Sequence, residues 1–159
     1  MPSRMIRKLL QYDAETGVFT WLVQTSIRVK AGHVAGSLKS DGYLQIKVDR
    51  KNHLAHRLAW FYMHGNWPEG QIDHRDGNRA NNRISNLRDV SNSVNQQNQL
   101  RARLDNKCGL LGVCASLSKW QAMISIDGKK RYLGTFDTPE QAHAAYIAAK
   151  RELHEGCTI

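Results

Sequence analysis

The chain has little of what would mark a disulfide-rich or zinc-binding protein. It has only three cysteines among 159 residues, and no two of them form a Cys-x-x-Cys pair. An odd number of cysteines without paired spacing argues against a disulfide framework and against a structural zinc site. We therefore expect three reduced thiols that are packed inside the protein.

Long apolar runs are also missing. No stretch of apolar residues approaches the length of a membrane-spanning helix, and the amino terminus lacks the apolar core of a signal peptide. Spanning helices need about 20 consecutive apolar residues, so the sequence offers no candidate. These absences predict a soluble cytoplasmic protein without a membrane-embedded part.

Negative charge is scarce as well. Lys and Arg total 23 against 14 Asp and Glu, which gives a net charge of +9. Residues 1–50 carry 8 basic and 4 acidic groups, residues 51–110 carry 9 and 5, and residues 111–159 carry 6 and 5. A strongly basic chain attracts polyanions, and both nucleic acid and an anionic membrane surface fit this balance. Most of the attraction lies in the first two thirds.

The amino-terminal third has strand composition. A short helix is expected from Ile6 to near Asp13, followed by a strand at residues 18–22 and a polar loop at residues 24–33. The segment 43–48, flanked by turn residues, predicts another strand, with its partner at 53–55. The next segment, HRLAWFYMH, has helical periodicity and is followed by Gly65, which favours a helix end.

The candidate functional residues are most concentrated in residues 71–98, QIDHRDGNRANNRISNLRDVSNSVNQQN. Asp73 and His74 follow an apolar residue, a turn comes next, and a second extended segment runs from 86 to 90. Ser91 stands at a helix N-cap position ahead of Asn95. A strand, loop, strand and helix of this size bury too little to fold alone, and a metal site would explain the arrangement. Mg²⁺ prefers hard oxygen donors and usually takes one or two from the protein. Asp73 and Asn95 would supply them, and His74 would act as a general base.

A simpler interpretation of the same stretch stays open. Seven of the 21 residues from 78 to 98 are Asn. Asn side chains stabilise turns by bonding to their own backbone, so an asparagine-rich polar loop would also produce this composition.

Residues 71–98, together with the upstream HRLAW and WPEG strings, resemble the HNH endonuclease family in its phage and homing variant. The resemblance implies a ββα-metal (His-Me finger) core at residues 67–100, inside a domain spanning 1–106. It implies that Asp73 and Asn95 hold one Mg²⁺ or Mn²⁺ per active site and that His74 activates water. Asn86 would brace the hairpin and orient His74. Products with 5′-phosphate and 3′-hydroxyl ends are implied, and for a phage-encoded chain the compartment is the host cytoplasm.

The last fifty residues predict a second unit. Strands are expected at 111–115, 120–126 and 130–136, and Asp127-Gly128 is a strong hairpin signal between the last two. A helix then opens at residues 137–140, with Asp137 or Thr138 as its cap and Pro139 in its first turn, and its alanines repeat at helical spacing and would pack closely on the sheet.

Residues 109–155, above all YLGTFDTPEQAHAAY, resemble the Apetala-type DNA-binding domain of plant ethylene-response factors, and the corresponding domain is expected at 108–159. The resemblance implies a three-stranded sheet lying in the major groove with the helix behind it. With Ala122 and Ile124 facing the helix, Gln121, Met123 and Ser125 face outward. Cys114, Met123 and Ser125 stand where plant domains carry charged residues, so fewer arginine–guanine contacts are available.

The expected fold is therefore α+β: a β-rich amino-terminal region, an HNH motif, and a small three-stranded antiparallel sheet packed on one helix. The expected function is metal-dependent cleavage or nicking of double-stranded DNA. Whether the chain acts as a monomer or a dimer stays open. The residues expected to contact DNA are His56, Arg57, Arg75, Arg79, Arg83, Arg88, Arg101, Lys119, Gln121, Met123, Lys130 and Tyr132.

Two other functions compete with this prediction. A non-catalytic, sequence-specific DNA-binding regulator would explain the charge and the last unit, but would leave His74 without a task. A structural zinc or RNA-binding protein would explain the preference for a polyanion, but the chain lacks both the ligand spacing and the aromatic RNA-binding pattern.

Overall fold

The computed structural model describes residues 3–99, 102, 106 and 108–158. They form two compact units, Met1–Val90 and Ser91–Ile159. We expected the boundary between 106 and 108. The units divide earlier, because the short helix after Ser91 packs with the carboxy-terminal residues, as described below. The assignment of functional domains at 1–106 and 108–159 stays a prediction.

The first unit opens with a helix and a three-stranded antiparallel sheet. Its elements are α1 (Ser3–Leu9), β1 (Leu10–Tyr12), β2 (Phe19–Trp21) and β3 (Val34–Ala35), in the sheet order β1-β2-β3. The helix was expected to reach Asp13, which is wrong: residues 10–12 are extended. Leu10 and Tyr12 are both buried while Gln11 is exposed, which is the two-residue period of a strand.

A second small sheet leads into the longest helix of this unit. It contains β4 (Ser37–Leu38), β5 (Leu44–Val48) and β6 (Lys51–Leu54), in the order β4-β5-β6. Helix α2 (Ala55–His64) follows directly, and Gly65 ends it with a φ of 81° and an N–H bonded to the Phe61 carbonyl. The helix predicted at 56–64 and its glycine end are thereby confirmed. Its buried face joins residues of both sheets in one core.

The predicted motif begins with a two-stranded hairpin. Strand β7 (Gln71–His74) pairs antiparallel with β8 (Leu87–Val90), so that Asp73 lies opposite Arg88 and His74 opposite Leu87. A single 3-10 turn, Ile84–Asn86, precedes β8. We expected Asn86 inside the second strand, but it ends this turn. The Asp89 carboxylate fastens the approach to β7, since it accepts hydrogen bonds from the Glu69 and Gly70 backbones, both at 2.8 Å.

The turn after β1 packs directly on the loop between β7 and β8. The Tyr12 hydroxyl donates to the Asn82 carbonyl at 2.7 Å, and Ile84 N–H donates to the Ala14 carbonyl at 3.3 Å. Gly17 has a φ of 75°, and a Cβ on it would lie 2.4 Å from the Arg83 backbone nitrogen. Only glycine permits this contact, so the turn and the loop pack backbone to backbone.

The second unit begins with α3 (Asn92–Gln97). Ser91 is its N-cap, with Oγ accepting from Val94 N–H, as predicted. The helix ends at Gln97, and Asn98 N–H turns back to the Asn95 carbonyl. The end of α3 is held instead by side-chain bonds. Gly156 N–H donates to Gln97 Oε1 at 2.9 Å, and the buried Lys150 donates to the Gln99 carbonyl at 2.6 Å.

The remainder of this unit is a sheet covered by one helix. Strands β9 (Val113–Ser116), β10 (Lys119–Ile126) and β11 (Lys129–Phe136) form an antiparallel sheet in the order β11-β10-β9, and α4 (Pro139–Leu153) follows. Thr138 caps α4, with Pro139 in its first turn. Ala122 and Ile124 of the sheet pack on Ala142, Tyr146 and Ala149 of the helix. The predicted three strands, hairpin and alanine-faced helix are confirmed. None of the described helices is both long enough and apolar enough to span a membrane.

Candidate active site

The candidate site is built on the last two residues of β7. Asp73 and His74 are 6% and 4% exposed, respectively. Neighbouring residues of a strand point to opposite faces, so both can be buried only if each face is covered. Arg88 on β8 covers the carboxylate, and Asn82, His56 and Tyr43 surround the imidazole.

Asn82 fixes the orientation of the His74 ring. His74 Nε2 lies 3.3 Å from Asn82 Oδ1, and the same amide donates from Nδ2 to the Ala80 carbonyl at 3.3 Å. An amide oxygen only accepts, so Nε2 of a neutral imidazole carries the proton and Nδ1 carries the lone pair. Asn82 is itself fully buried and held by Tyr12. The tautomer suited to a base at Nδ1 is therefore set by the loop.

The surroundings of His74 keep it neutral. Burial lowers the pKa of His74 below its usual range, against the opposing effects of the Asn82 hydrogen bond and the nearby Asp76 and Asp73 carboxylates. Desolvation disfavours the charged imidazolium, and this effect outweighs the neighbouring negative charge. A neutral imidazole at neutral pH is the form that accepts a proton from water.

His56, in the first turn of α2, lies behind His74. The two ring centroids are 5.1 Å apart with the planes perpendicular. His56 is 5% exposed, and its Nδ1 has no hydrogen-bond partner within the described structure. Burial, with the His74 ring and the Arg57 charge, lowers the pKa of His56 to about 3. A DNA contact by His56 stays a prediction, and its burial favours a packing role beside His74.

Asn86 closes the loop between the strands. Its Nδ2 donates to Asp76 Oδ1 and to the Asn81 carbonyl, both at 2.9 Å, and its Oδ1 accepts from Asp76 N–H at 3.1 Å. Asn81 adds a bond to the other Asp76 oxygen at 2.6 Å. Burial raises the pKa of Asp76, but the hydrogen bonds from Asn81, Asn78 and Asn86 outweigh it and hold the pKa below its usual value. Asn86 thus braces the loop that carries Asn82, and its proposed action on His74 stays a prediction.

Asp73 has a cationic partner on the opposite strand. Arg88 Nε and Nη2 both lie 2.7 Å from Asp73 Oδ2. Arg88 was predicted to contact DNA, whereas in the free chain its guanidinium contacts the candidate metal ligand. That DNA contact stays a prediction.

The donor chemistry at Asp73 fits a hard cation. A carboxylate oxygen is the ligand that Mg²⁺ and Mn²⁺ prefer, and Mg²⁺ often takes only one or two protein ligands and completes its shell with water and phosphate. No group of three or more His, Cys, Asp or Glu side chains within the described ranges could hold a metal. One carboxylate and one amide oxygen would therefore be the donor set. Asn95 lies on α3 in the second unit, and its role as the second ligand stays a prediction.

The other arginines predicted to contact DNA differ in exposure and in their hydrogen-bond partners. Arg57 is half-buried, and its two terminal nitrogens donate to the Gly70 and Pro68 carbonyls at 3.2 and 3.3 Å. Arg79 donates to the Asp41 carbonyl at 2.8 Å and lies over the Tyr43 ring. Arg75 and Arg83 are exposed on the loop beside His74. Arg101 lies outside the described residues.

The side chains predicted to read DNA in the second unit share one sheet face. Met123 lies opposite Tyr132, and a bulge after Ala122 sets this register. Gln121 donates to Ser116 at 3.1 Å, and Tyr132 and Thr135 hydroxyls are 2.6 Å apart. Lys119 pairs with Asp137 at 3.0 Å on the exposed surface, and Lys130 is exposed opposite Ser125. The face is polar and basic and lies opposite α4.

Two residues of the site were not predicted from the sequence. Asn82 touches the imidazole but stands in an asparagine-rich run in which nothing distinguishes it from Asn78 or Asn81. Tyr43, whose ring centroid is 5.9 Å from that of His74, comes from a distant part of the chain. The only available signal was an aromatic residue beside a strand of alternating pattern, which does not indicate a site.

Part of the chain is similar in sequence to known proteins. Residues 53–97 match the HNH endonuclease family. The chain is also 35% identical over 68 residues to the DNA endonuclease I-HmuI of Bacillus phage SP01, a match that covers 40% of this chain and 39% of that protein. The chain thus spans about two fifths of the length of this relative. No solved structure matches the chain significantly. The segment similar to HNH endonucleases contains α2, the β7–β8 hairpin and α3.

Proposed function

We propose that this chain is a metal-dependent endonuclease that hydrolyses phosphodiester bonds in double-stranded DNA. The observation that carries the proposal is the buried, neutral His74, held by Asn82 and adjacent to the Asp73 carboxylate, inside the segment that matches HNH endonucleases. A base and a hard-oxygen ligand side by side are what metal-assisted hydrolysis needs.

In the proposed reaction, His74 Nδ1 accepts a proton from a water molecule as its oxygen bonds to the scissile phosphorus. The phosphorus–O3′ bond breaks, and the leaving oxygen takes a proton from solvent, which yields a 5′-phosphate and a 3′-hydroxyl. One Mg²⁺ or Mn²⁺ on Asp73 and Asn95 would supply the Lewis acid that stabilises the charge developing on the leaving oxygen. Asn82 keeps the imidazole in the reactive tautomer throughout.

DNA binding would use both units. The net charge of +9 supplies attraction to phosphate, and the exposed Arg75 and Arg83 lie on the loop next to His74. The outward sheet face of the second unit would read base edges, as in the Apetala-type domains that residues 109–155 resemble. Residues 112–136 carry 4 basic and 1 acidic group, whereas residues 137–155 carry 2 and 4. The sheet side would therefore face the phosphates.

One active site per chain makes a single-strand nick the simplest product. A double-strand break would require two chains on one site or two successive nicks. Incubation with supercoiled plasmid and Mg²⁺ tests the proposal in a single gel, where relaxed circles are expected. Chelator should abolish the nicking, and so should Asp73→Asn, which removes the anionic ligand while keeping its size.

A non-catalytic DNA-binding regulator is the second candidate. The basic charge and the polar sheet face support DNA binding by themselves, without any reaction. This candidate predicts a shifted plasmid band without relaxed circles in Mg²⁺ or Mn²⁺. That outcome would overturn the endonuclease proposal.

A further inference from the structure

Arg88 contacts the carboxylate of Asp73, which is the proposed ligand of the cation. Both its Nε and its Nη2 contact the same carboxylate oxygen, Oδ2, at 2.7 Å. Two charged donors on one oxygen make a strong, oriented pair. The side chains of Arg88 and Asp73 are only 16% and 7% exposed, so solvent screens the pair weakly.

The pair is a consequence of the strand register. Asp73 and Arg88 are directly opposite one another in the β7–β8 hairpin, and cross-strand neighbours lie close enough for their side chains to meet. A buried carboxylate needs a compensating positive charge. In the free chain Arg88 provides that charge, so the hairpin folds with the carboxylate satisfied before any cation is bound.

A guanidinium and a divalent cation compete for the negative charge of the Asp73 carboxylate. A hydrated Mg²⁺ bound to Asp73 would lie within a few ångströms of the Arg88 charge, and like charges at that distance repel strongly where water is largely excluded. Cation binding at Asp73 should therefore weaken the Arg88–Asp73 pair. A DNA backbone phosphate is a suitable destination, because it accepts two hydrogen bonds from a guanidinium in the same way as a carboxylate.

We propose that Arg88 is a gate on the cation site: it holds Asp73 in the free chain and moves to a DNA phosphate in the complex, so that the cation binds tightly only when DNA is present. This inference rests on the proposed function, since it assumes that Asp73 is a metal ligand. It gives Arg88 a double role, and it keeps the hydrolytic site unassembled away from DNA.

The test measures Mn²⁺ binding by the full-length chain without DNA, from the electron paramagnetic resonance signal of free Mn²⁺. Arg88→Gln should bind Mn²⁺ at least about tenfold more tightly than the wild type, because the competing cation is gone. Arg75→Gln is the matched control. It removes one positive charge from the exposed loop next to His74, and through-space electrostatics alone should change the affinity by no more than about threefold.

A second arm adds DNA. In a His74→Ala background, which leaves DNA uncut, a short duplex should raise Mn²⁺ affinity by at least about tenfold, after subtraction of binding to DNA alone. With Arg88→Gln added, the gain from DNA should fall by about the factor by which Arg88→Gln tightens Mn²⁺ binding without DNA, and the gain that remains comes from the DNA phosphate as a ligand. If Arg88→Gln does not fold, Arg88→Lys serves in its place: it keeps the compensating charge but loses the two-donor geometry, and its affinity for Mn²⁺ should still rise several-fold.

Equal Mn²⁺ affinities for the wild type and the Arg88 variants without DNA would overturn the gate. If such a chain still nicked plasmid, the proposed function would stand without it. Absence of Mn²⁺ binding by every variant, with DNA and without, would overturn the gate and the metal-dependent mechanism together.

Discussion

His74 is the residue on which the proposed chemistry depends, and its neighbours hold it neutral and oriented. Asn82 sets the proton on Nε2, burial keeps the ring neutral, and His56 and Tyr43 fill the space around it. None of these neighbours needs to touch DNA. They prepare the imidazole before substrate arrives.

Replacing His74 tests the base directly. His74→Ala should lower the nicking rate on the order of 10²- to 10⁴-fold, which is the usual contribution of a general base. DNA affinity should stay within a few-fold, because the substitution removes no permanent positive charge. Rates come from the conversion of supercoiled to relaxed plasmid and affinities from filter binding. Unchanged nicking by this variant would show that another group activates the water.

The pH dependence of nicking should report the same residue. Sequence alone suggests a rise in rate through about pH 6–7, the ordinary range for an imidazole. Burial lowers the pKa of His74, and a base is active when neutral. The midpoint of the rise should therefore come at a lower pH than for an ordinary imidazole. Single-turnover rates between about pH 5 and 8 measure this, and a midpoint above the ordinary imidazole pKa of about 6.5 would contradict it.

Stability should depend on pH through His56. Its pKa is about 3 when folded, against 6.5 for an ordinary imidazole, so the unfolded chain takes up the proton first. The stabilisation is complete above about pH 6.5 and falls by on the order of 1 kcal/mol per pH unit as the pH drops toward 3. Urea midpoints at about pH 7.5 and 5, on either side of the unfolded pKa, measure the loss. His56→Phe should make the profile shallower without abolishing it, because the buried His74 contributes in the same direction. Replacement of the exposed His33 by Gln is the control.

Residue chemistry was predictable where it was local and unpredictable where it depended on register. The adjacent Asp73 and His74 can be identified from sequence, because an acid and an imidazole at the end of an apolar strand suggest a site. Arg88 was assigned to DNA by its charge alone. Its pairing with Asp73 follows from strand register, which depends on the length of the loop after His74 and the bonds that Asn86 makes across it.

At the scale of elements, ends and turns were predicted better than interiors. Ser91, Thr138 and Gly65 act through bonds to their own neighbours, so the ends they mark were correct. Asp127 and Gly128 both have positive φ, 51° and 76°, as their tight hairpin requires. Residues 10–12 were assigned to a helix because Leu10 and Tyr12 also fit a helical face. The strand forms because β2 pairs with it, which is a non-local contact.

The turn at Gly17 offers a test of how one element supports another. Gly17→Ala places a methyl group 2.4 Å from the Arg83 nitrogen, so the loop bearing Asn82 has to shift. Gly32→Ala is the control, since Gly32 has a φ of 85° and a methyl group there would meet nothing within 4 Å. The control should lose about 1 kcal/mol of folding stability from backbone strain alone.

Gly17→Ala should lose about 2–4 kcal/mol, because overpacking adds to the strain. It should also nick more slowly at a temperature where it remains folded, whereas the control should nick at the wild-type rate. Denaturant unfolding and plasmid nicking measure the two effects. Equal stability losses for the two variants would mean that the backbone contact at Gly17 does not constrain the loop.

At the scale of the whole molecule, most of the positive charge lies before residue 107, whereas the residues that hold α3 in place lie near the carboxy terminus. Residues 1–106 carry 16 of the 23 basic groups and 9 of the 14 acidic groups. A chain that ends at residue 106 should therefore keep most of the salt dependence of DNA binding, since the slope follows the number of phosphates neutralised. It should nick more weakly than the full-length chain, because α3 loses the bonds from Gly156 and Lys150 to Gln97 and Gln99.

A full-length variant separates the bonds that hold α3 from the base contacts proposed for the sheet face. Lys130→Gln combined with Tyr132→Ala alters the exposed sheet face but leaves the partners of α3 in place. Its nicking rate on plasmid should stay near that of the wild type, while its mapped cleavage positions scatter, because base contacts select sites and phosphate contacts only hold the DNA. An unchanged cleavage map would show that this face does not choose the site.

The hydrogen bond from Tyr12 and the glycine contact at residue 17 set a limit on how this catalytic apparatus can be moved between proteins. The recognisable segment starts at residue 53, yet the loop that orients the base rests on a turn far upstream of that start. A graft of residues 53–97 into another protein would transfer the proposed reactive groups without the turn near Tyr12 and Gly17 that packs on their loop. A transplant intended to keep His74 in its present environment has to begin before Tyr12.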